Sequence, residues 1–419
     1  MPNTVDDARI HAKLQEVKQL YPWYNDLLQA LSQGENVGAW SSIPLLTHER
    51  LLPYFDQTEQ QQEPNWNVYR TSGTSSNRRK AIVYDPDDEA AYVEHKTRLF
   101  GELLHDLNAT RAISDMGTGH AAATAQEIFE QLGISCVVVP FQQPIDEHLE
   151  QITQFRPDVL YTMPSILDAL VKAAAPDLNW GIRRIILVGE PASPAWRQRI
   201  AERMSIRPND IVDTYGSIEV GTMAYFDSQI GRYVLMDGLL AEGITPQQAG
   251  LNGITLPVGE EILVLTSFVR RRFPVLRYVT YDVVRDLRTE LVDGQLQTTF
   301  AALVKRIGPE LKHGEKISVY DVENAVFRHV QQADVRILVQ DNRLRVYIQC
   351  VNPLDKHTIE DIRSDIHEAI PEIGDMIRSQ LLEEICIIPL NLNDPQHQLR
   401  WQILTPSTSV KQKKLYIQP

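Results

Sequence analysis

The sequence predicts an α/β fold: a large N-terminal domain with doubly wound, mostly parallel sheets and a β subdomain, and a small C-terminal α+β domain. Between residues 81 and 188, short β-branched runs alternate with helix-like segments, which is typical of parallel strands joined by helices. After about residue 220 the chain becomes strand-like and rich in Gly and Pro, as in a β subdomain. From about residue 304 the order becomes helix, strand, strand, helix, strand. We therefore expect domains at 1–303 and 304–419.

The spacing of apolar residues places the individual elements. Helix-like spacing at 7–33 is interrupted by Pro22, and Thr47 is a candidate N-cap for the next helix. The alternating region is predicted as strand 81–84, helix 85–105, strand 111–116, helix 121–132, strand 134–141, helix 146–154, strand 159–163, helix 165–174 and strand 184–188. The later elements are predicted as strands 225–235 and 261–266, helix 318–330, a hairpin of strands 334–339 and 344–350, helix 358–384 and strand 385–388.

The composition is that of a soluble globular protein, with 43% hydrophobic and 23% charged residues among 419. The net charge of −14 argues against a nucleic-acid partner, although local cations can still bind a small anion. The sequence shows no signal-peptide pattern and no apolar run long enough to cross a bilayer. We therefore expect a cytoplasmic protein without a membrane partner. The widely spaced Cys136, Cys350 and Cys386 predict buried thiols rather than a metal site or disulfides.

A loop at 71–80 combines small hydroxylated residues and a glycine with an asparagine and three cations. Exposed N–H groups, hydroxyls and positive charges in such a loop can bind a polyphosphate. The loop is not a Walker P-loop, because the terminal Gly-Lys-Ser/Thr is absent, and on its own it could be an ordinary surface turn. The candidate phosphate-binding residues are Thr71, Ser72, Gly73, Thr74, Ser75 and Lys80.

Further clusters follow along the chain. Strand 184–188 stops at Gly189-Glu190-Pro191, where a glycine lets a planar ligand approach the backbone. The segment Asp213-Thr214-Tyr215-Gly216-Ser217-Ile218-Glu219 offers an aromatic ring, a glycine and a carboxylate that can hold Mg²⁺. Asp282 could accept hydrogen bonds from ribose hydroxyls, Arg306 lies near the predicted domain boundary, and Lys411 belongs to a basic tail. Taken singly, the glycine turn, the tyrosine and the basic tail each also have an ordinary structural explanation, which does not extend to Glu219.

In their order and spacing, these clusters resemble the adenylate-forming superfamily of acyl-CoA ligases, non-ribosomal adenylation domains and luciferases. The resemblance extends from the loop at 71–80 to the terminal lysine and so covers most of the chain. Within the superfamily the sequence is most similar to phenylacetate–CoA ligases and stand-alone aryl-acid–AMP ligases. The segments that carry this are Tyr21-Pro22-Trp23-Tyr24, Ile43-Pro44-Leu45-Leu46-Thr47, Met163-Pro164-Ser165 and Val188-Gly189-Glu190-Pro191.

The resemblance implies a role for each position. Residues Thr71, Ser72, Gly73, Thr74 and Ser75 would wrap the β- and γ-phosphates of ATP, with Lys80 beside them. Gly189, Glu190 and Pro191 would border adenine, with Asp213 bonding its amino group, Tyr215 stacking on it and Gly216 admitting the nucleotide. Glu219 would hold Mg²⁺, Asp282 would bind the ribose, Arg306 would lie near it, and Lys411 would bridge the substrate carboxylate and the α-phosphate. The candidate catalytic residues are therefore Thr74, Glu219 and Lys411.

Departures from the superfamily pattern leave alternatives open. Arg78-Arg79-Lys80 makes the identity of the loop lysine ambiguous, and Thr280-Tyr281-Asp282 lacks the usual central glycine. Lys305-Arg306 stands where Gly-Arg is usual. In the tail, Lys413 and Lys414 are rivals of Lys411. These differences bear on the efficiency of the reaction more than on the fold.

The resemblance implies an ATP- and Mg²⁺-dependent adenylation of a carboxylic acid, followed by transfer of the acyl group to a phosphopantetheine thiol as a mobile C-terminal domain rotates. The acceptor would be a carrier protein in a siderophore- or antibiotic-type secondary-metabolite pathway, or coenzyme A as in an aryl-acid–CoA ligase. A degenerate nucleotide- or acid-binding protein without catalysis is the remaining alternative. The predicted pocket walls mix small and aromatic residues, which favours an aromatic acid of modest size. Its candidate contacts are His120, Ser165 and Gly221.

Overall fold

The computed structural model describes residues 7–31, 40–58, 63–70, 80–116, 119–140, 142–175, 177–307, 318–330, 333–340, 343–370, 373, 377–378, 383–404 and 415–417. Two helices come first, α1 (Asp7–Leu20) and α2 (Pro22–Leu31). Pro22 opens the second helix, a position where a backbone N–H is not required. The interruption that the sequence predicts at Pro22 is therefore a boundary between helices.

The segment that follows α2 contains short helical elements and two paired strands. A short 3₁₀ turn (Glu49–Leu51) continues into α3 (Leu52–Thr58). Thr47 is not its cap: His48 takes the N-cap position and makes no side-chain cap bond. Strands β1 (Asn67–Arg70) and β2 (Ala81–Tyr84) pair antiparallel and flank residues 71–79, which lie outside the described residues.

The alternation of helices and strands predicted for residues 81–188 is confirmed, and it continues to residue 217. Its elements are α4 (Pro86–Leu104), β3 (Arg111–Met116), α5 (His120–Gln131), β4 (Ser135–Pro140), α6 (Ile145–Phe155), β5 (Val159–Thr162), α7 (Pro164–Ala173), β6 (Arg184–Val188), α8 (Pro194–Met204) and β7 (Ile211–Ser217). Strands β4, β3, β5, β6 and β7 are parallel neighbours in that order. Their carboxyl ends share one edge, which is where ligands bind in open α/β sheets.

The same sheet continues with antiparallel strands beyond β7. These are β8 (Gly221–Asp227), β9 (Arg232–Leu235), β13 (Arg288–Val292) and β14 (Gln295–Phe300), and the full order is β13-β14-β9-β8-β7-β6-β5-β3-β4. The single strand predicted at 225–235 is wrong. It is instead the end of β8, a turn and β9, and the turn is closed by a hydrogen bond from Gly231 N to Asp227 O.

A second sheet of four antiparallel strands forms the β subdomain. Its order is β10 (Leu239–Ile244), β11 (Glu260–Ser267), β12 (Tyr278–Arg285) and β15 (Ala302–Arg306). The register sets Asp282 of β12 opposite Arg306 of β15. Two of the predicted site residues are therefore neighbours because of strand pairing.

The C-terminal region forms a separate four-stranded sheet with helices. Its elements are α9 (Val319–His329), β16 (Ala333–Gln340), β17 (Arg343–Cys350), α10 (Lys356–Ala369), β18 (Cys386–Asn391), α11 (Pro395–Leu404) and β19 (Leu415–Ile417), and the strand order is β18-β17-β16-β19. The predicted hairpin of β16 and β17 is confirmed. Helix 358–384 is too long, because α10 already ends before Pro371, whose ring disfavours a helical residue before it.

Polar contacts connect the C-terminal region to the large domain. Arg285 of β12 lies 2.7 Å from Glu260 and 3.3 Å from Asp321 of α9. Lys172 of α7 pairs with Asp334 of β16 at 3.1 Å. The predicted boundary at 303/304 falls inside β15, and the division into two domains stays a prediction. In the described part of the chain, no helix combines the length and the apolar character needed to cross a bilayer.

The three thiols have different surroundings. Cys350 is buried, as expected, but Cys136 is only partly buried and Cys386 is exposed. Cys386 begins the strand β18 with its side chain on the outer face. The expectation of three buried thiols is therefore wrong for Cys386.

Candidate active site

Three of the predicted nucleotide-binding residues meet where the large sheet approaches the β subdomain. The hydroxyl of Tyr215, on β7, donates a hydrogen bond of 2.5 Å to Asp282 Oδ2. Arg306 Nε lies 3.6 Å from the other oxygen of Asp282, and its Nη2 donates to the carbonyl of Thr280 at 3.2 Å. The side chain of Arg306 is 56% exposed. The cluster therefore presents a carboxylate and a cation at a surface that a ligand can reach.

The charges in this cluster depend on one another. The charge of Asp282 raises the pKa of Arg306, and the charge of Glu219 acts in the same direction. Burial, and then the charge of Asp282, raise the pKa of Tyr215 well above its usual value. Tyr215 thus stays a neutral hydrogen-bond donor, and Glu219 lies within electrostatic range of the same arginine. The structure brings Tyr215, Glu219, Asp282 and Arg306 into one site.

The β7–β8 hairpin holds Glu219 through close backbone contacts. A Cβ atom added at Gly216 would lie only 2.7 Å from the carbonyl oxygen of Gly221, so only glycine fits there. Gly221 has φ +98° and faces the ring of Tyr92, which an added Cβ would approach to 3.2 Å. On the opposite side, Tyr84 donates to the carbonyl of Ile218 at 2.9 Å. These contacts explain why two glycines flank the loop that carries Glu219.

Mg²⁺ was predicted at Glu219. No group of three or more His, Cys, Asp or Glu side chains that could hold a metal is found among the described residues. Mg²⁺ at nucleotide sites commonly takes only one or two protein carboxylates and completes its shell with phosphate oxygens and water. A half-buried lone carboxylate such as Glu219 fits that mode, and its role stays a prediction.

Two further predicted residues, Glu190 and Ser165, contact each other. The carboxylate of Glu190 accepts hydrogen bonds from Ser165 N at 2.9 Å and Ser165 Oγ at 3.0 Å, at the start of α7. Gly189 has φ +83°, a conformation that favours glycine, and Met163 lies close behind it. Pro191 is exposed. The loop after β6 is therefore tied to α7, and its glycine leaves the backbone open on one side.

Asp213 is more enclosed than a nucleotide contact needs to be. Its side chain is buried, accepts a hydrogen bond from the Tyr233 hydroxyl, and receives another from the backbone of Ala192. Burial raises its pKa to about 6. Both hydrogen bonds to this carboxylate come from the protein itself, from Tyr233 and from the loop at Ala192. The predicted bond from Asp213 to the amino group of adenine therefore stays a prediction.

His120 lies in a box of tyrosine rings. The centroid of its ring is 3.8 Å from that of Tyr92, 4.0 Å from that of Tyr84 and 4.6 Å from that of Tyr69. Its Nε2 atom is 2.7 Å from Glu89. Burial lowers its pKa, although Glu89 opposes the shift. A direct contact with substrate stays a prediction.

Several predicted residues fall outside the part of the chain that the structure describes. Thr71, Ser72, Gly73, Thr74, Ser75, Lys411, Lys413 and Lys414 lie outside the described residues. Lys80 is described: its Nζ atom lies 2.9 Å from His48 Nδ1 and 5.3 Å from the centre of the Phe55 ring. His48 in turn neighbours Tyr281, the residue before Asp282, through a 3.3 Å backbone hydrogen bond to the tyrosine hydroxyl. Lys80 is thus connected to the strand that carries Asp282.

A cavity opens beside the β7–β8 hairpin. Residues that line it include Tyr84, Tyr92, Gly221, Thr222 and Arg270. Of these, the sequence identified Gly221 as a substrate contact; the others were missed. Tyr92 and Lys96 lie four residues apart on α4, and Lys96 occupies the buried face of that helix. A lysine on an otherwise apolar stripe is the sequence signal that could have revealed this region.

Comparisons with known proteins agree with this geometry. Residues 71–260 match the AMP-binding enzyme family, and residues 312–393 match the fumarate–diaminopropanoate ligase C-terminal domain. The fumarate–(S)-2,3-diaminopropanoate ligase of Enterobacter agglomerans is 32% identical over 385 residues, covering 92% of this chain and 96% of that protein. The chain belongs to the adenylate-forming enzymes.

Other members of this superfamily match less of the sequence or only the fold. The phenylacetate–coenzyme A ligase of Aromatoleum evansii is 30% identical over 166 residues, which is 37% of this chain and 36% of that one. The crystal structure of 2-hydroxyisobutyryl-CoA ligase in the postadenylation state has a TM-score of 0.72 at 14% identity and covers 98% of this chain and 88% of its own. This likeness shows the adenylate-forming fold, as predicted.

Proposed function

We propose that this adenylate-forming enzyme activates a short dicarboxylic acid, fumarate or a close analogue, and transfers the acyl group to an amine of a small amino acid such as 2,3-diaminopropanoate. The proposal rests on the relative from Enterobacter agglomerans, whose similarity extends over nearly the whole of both chains. The match of residues 312–393 to the corresponding C-terminal domain supports it. The predicted aromatic acid and thiol acceptor have narrower support, since the phenylacetate–coenzyme A ligases match only 37% of this chain.

The observation that carries the adenylation step is the cluster of Tyr215, Asp282 and Arg306 beside Glu219. Asp282 would bind the ribose hydroxyls while Tyr215 holds its orientation, and the open face of Gly189 would admit adenine. Glu219 would hold Mg²⁺, which would neutralise charge on the phosphates. Arg306 would place further positive charge near the same oxygens.

The proposed reaction has two steps. A carboxylate oxygen of the acid attacks the α-phosphorus of ATP. The phosphoanhydride bond between the α- and β-phosphates breaks, and pyrophosphate leaves. The amine then attacks the acyl carbon, the acyl–phosphate bond breaks, and AMP leaves as the amine loses a proton. The protein's contribution is positioning and charge stabilisation, because no covalent enzyme intermediate is needed.

The acceptor is tested by offering the enzyme ATP, Mg²⁺ and fumarate with one nucleophile at a time. The nucleophiles are 2,3-diaminopropanoate, coenzyme A and a phosphopantetheinylated carrier protein, and the products are separated by mass spectrometry. We expect an amide with the amino acid and no thioester with either thiol. A thioester formed faster than the amide would contradict an amine acceptor.

A second candidate is the activation of an aryl acid for thiol transfer. The observation that favours it is the ring of tyrosines around His120, which could face an aromatic substrate. The partial similarity to phenylacetate–coenzyme A ligases points the same way. If phenylacetate or benzoate replaces fumarate with higher kcat/KM in the same assay, this candidate is preferred.

A further inference from the structure

Lys96 is a buried cation without a countercharge in the described part of the chain. It is 1% exposed in the middle of α4. Its Nζ atom donates to the hydroxyl of Tyr92 at 2.8 Å and to the hydroxyl of Tyr161 at 2.5 Å. It also lies over the rings of Tyr92, Phe100 and Tyr161, at 5.1, 5.6 and 4.9 Å. All of these partners are neutral.

Two other buried cations in the described part of the chain, Lys13 and Arg270, do have carboxylate partners. Lys13, which is 4% exposed, pairs with Glu16 at 2.6 Å and donates to the carbonyl of Arg270. The buried Arg270 pairs with Asp88. Burying an ammonium without a carboxylate is costly, so such a group is retained only where something else gains from it. An anionic ligand is the simplest gain.

The position of Lys96 places it behind the wall of the cavity beside the β7–β8 hairpin. Tyr92 lines that cavity together with Gly221 and Thr222, and its ring faces Gly221. Its hydroxyl is at the same time the partner of Lys96. Tyr161 begins the segment Tyr161–Ser165, which the sequence predicts as one wall of the acid pocket. One tyrosine ring therefore separates the ammonium from the hairpin that carries Glu219.

We propose that Lys96, with the hydroxyls of Tyr92 and Tyr161, binds the far carboxylate of a dicarboxylic acid while the near carboxylate is adenylated. This inference rests on the proposed function and assigns the residue that selects the acid. Tyr92, which is only partly buried, is the side chain that turns to let the carboxylate reach Lys96. The ammonium donates its third N–H, for which no acceptor is found among the described residues.

The titration of Lys96 gives the site a pH dependence. Burial lowers the pKa of Lys96 to about 7. The other titratable groups that face it are Tyr92, Tyr161 and His120 with its partner Glu89. Burial raises the pKa of both tyrosines and lowers that of His120, so the two phenols and the imidazole are neutral above pH 7. A carboxylate bound to Lys96 would raise its pKa again, so binding takes up a proton above pH 7.

The test compares fumarate with crotonate, in which a methyl group replaces one carboxylate, as acids in ATP–pyrophosphate exchange. In the wild-type enzyme we expect fumarate to be preferred and its KM to rise about tenfold per pH unit above pH 7. In Lys96→Met we expect kcat/KM for fumarate to fall by on the order of 10² while crotonate is spared or improved. The KM for crotonate should change little over the same pH range.

Lys13→Met is the matched control, because it removes a buried lysine that does have a carboxylate partner. We expect Lys13→Met to lower Tm and to leave the ratio of fumarate to crotonate activity unchanged. Lys96→Met should keep or raise Tm, since replacing a buried unpaired charge by an apolar side chain of similar size is often stabilising. This separates a folding defect from a loss of selectivity.

The outcomes separate a failure of the proposed function from a failure of the role assigned to Lys96. If no acid supports exchange in the wild-type enzyme, the proposed function fails and the inference fails with it. If the wild-type enzyme activates fumarate and a folded Lys96→Met variant keeps the same preference, the inference alone is wrong. A wild-type preference for crotonate over fumarate would likewise overturn the inference and leave adenylation intact.

Discussion

At the scale of single residues, Glu219 is the predicted Mg²⁺ ligand of the site. Its carboxylate is half-buried and lies within electrostatic range of Arg306. We predict that Glu219→Ala abolishes Mg²⁺-dependent pyrophosphate exchange, by on the order of 10³ in rate, and leaves the thermal unfolding curve unchanged. Asp227→Asn, at the far end of β8, is a control that should retain activity. Exchange at the wild-type rate in Glu219→Ala would remove this residue from the metal site.

A second prediction concerns the fully buried pair of His148 and Asp115, which lie 2.9 Å apart. Burial disfavours the charged imidazole, but the hydrogen bond and charge of Asp115 outweigh it and raise the pKa of His148. The folded-state pKa therefore exceeds the unfolded value of about 6.5. The stabilisation is complete below that value and is lost as pH rises through the folded-state pKa.

Asp115→Asn should remove this dependence. Between pH 6 and pH 8, the free energy of unfolding of the wild-type enzyme should decrease relative to that of the variant, by at most about 1.4 kcal/mol per pH unit for one proton. Urea denaturation at several pH values measures this difference. Parallel pH profiles of the two proteins would mean that His148 is not charged in the folded state.

Functional groups that belong to a sequence motif were predicted, whereas groups brought together only by packing were not. Tyr215, Glu219, Asp282 and Arg306 follow from short segments with recognisable chemistry, and strand pairing brings them together. Lys96 has no motif. The environment of Lys96 depends on Tyr161, which is 65 residues away in the sequence. The two residues are in contact because α4 packs on the sheet.

At the scale of elements, the β7–β8 hairpin is closely packed around two glycines. We predict that Gly216→Ala lowers exchange activity by on the order of 10² because the new methyl group would displace the carbonyl of Gly221 and with it Glu219. Gly231→Ala is the matched control. That glycine lies in the next turn of the same sheet with φ +68°, and an added Cβ would meet no atom within 4 Å.

We expect Gly231→Ala to lose about 1 kcal/mol of stability from its backbone conformation and little activity. Measuring kcat/KM and Tm on both variants separates the two effects. Equal activity losses in the two variants would show that the close approach of Gly216 and Gly221 is not what positions Glu219.

Elements with regular periodicity were predicted closely, and errors lie where a local turn or a proline decides. Strand 111–116 and strand 184–188 have the predicted bounds. The turn between β8 and β9 was missed because the apolar residues on either side of it resemble one continuous strand. The helix predicted at 358–384 continued past Pro371 because its apolar spacing continues, whereas backbone geometry ends α10 at Ala369.

At the scale of the whole molecule, the C-terminal region contacts the large domain through partly exposed ion pairs, including Lys172 with Asp334 and Arg285 with Asp321. The same interface also contains buried apolar side chains, because one hydrophobic cluster includes residues of both α8 and α9. The segment 405–414, which contains Lys411, connects α11 to β19, and β19 pairs with β16. The elements on either side of this segment, α11 and β19, therefore both belong to the C-terminal region.

We predict that Lys411→Ala slows adenylation by on the order of 10²–10³ because it removes positive charge from the transition state. Acyl transfer from supplied acyl-AMP should persist, since the domain would have rotated away by then. Measuring both half-reactions in Lys411→Ala, Lys413→Ala and Lys414→Ala identifies the residue. A defect in Lys413→Ala alone would move the assignment by two positions, and three normal rates would remove the tail from the site.

The most direct test of the central claim is acid-dependent ATP–pyrophosphate exchange by the wild-type enzyme with Mg²⁺. The panel contains fumarate, crotonate, phenylacetate and a long-chain fatty acid, and the measured quantity is kcat/KM for each. We predict exchange that requires both Mg²⁺ and an acid, with fumarate preferred by at least about tenfold over crotonate. Exchange absent with every acid, or highest with the fatty acid, would contradict the account.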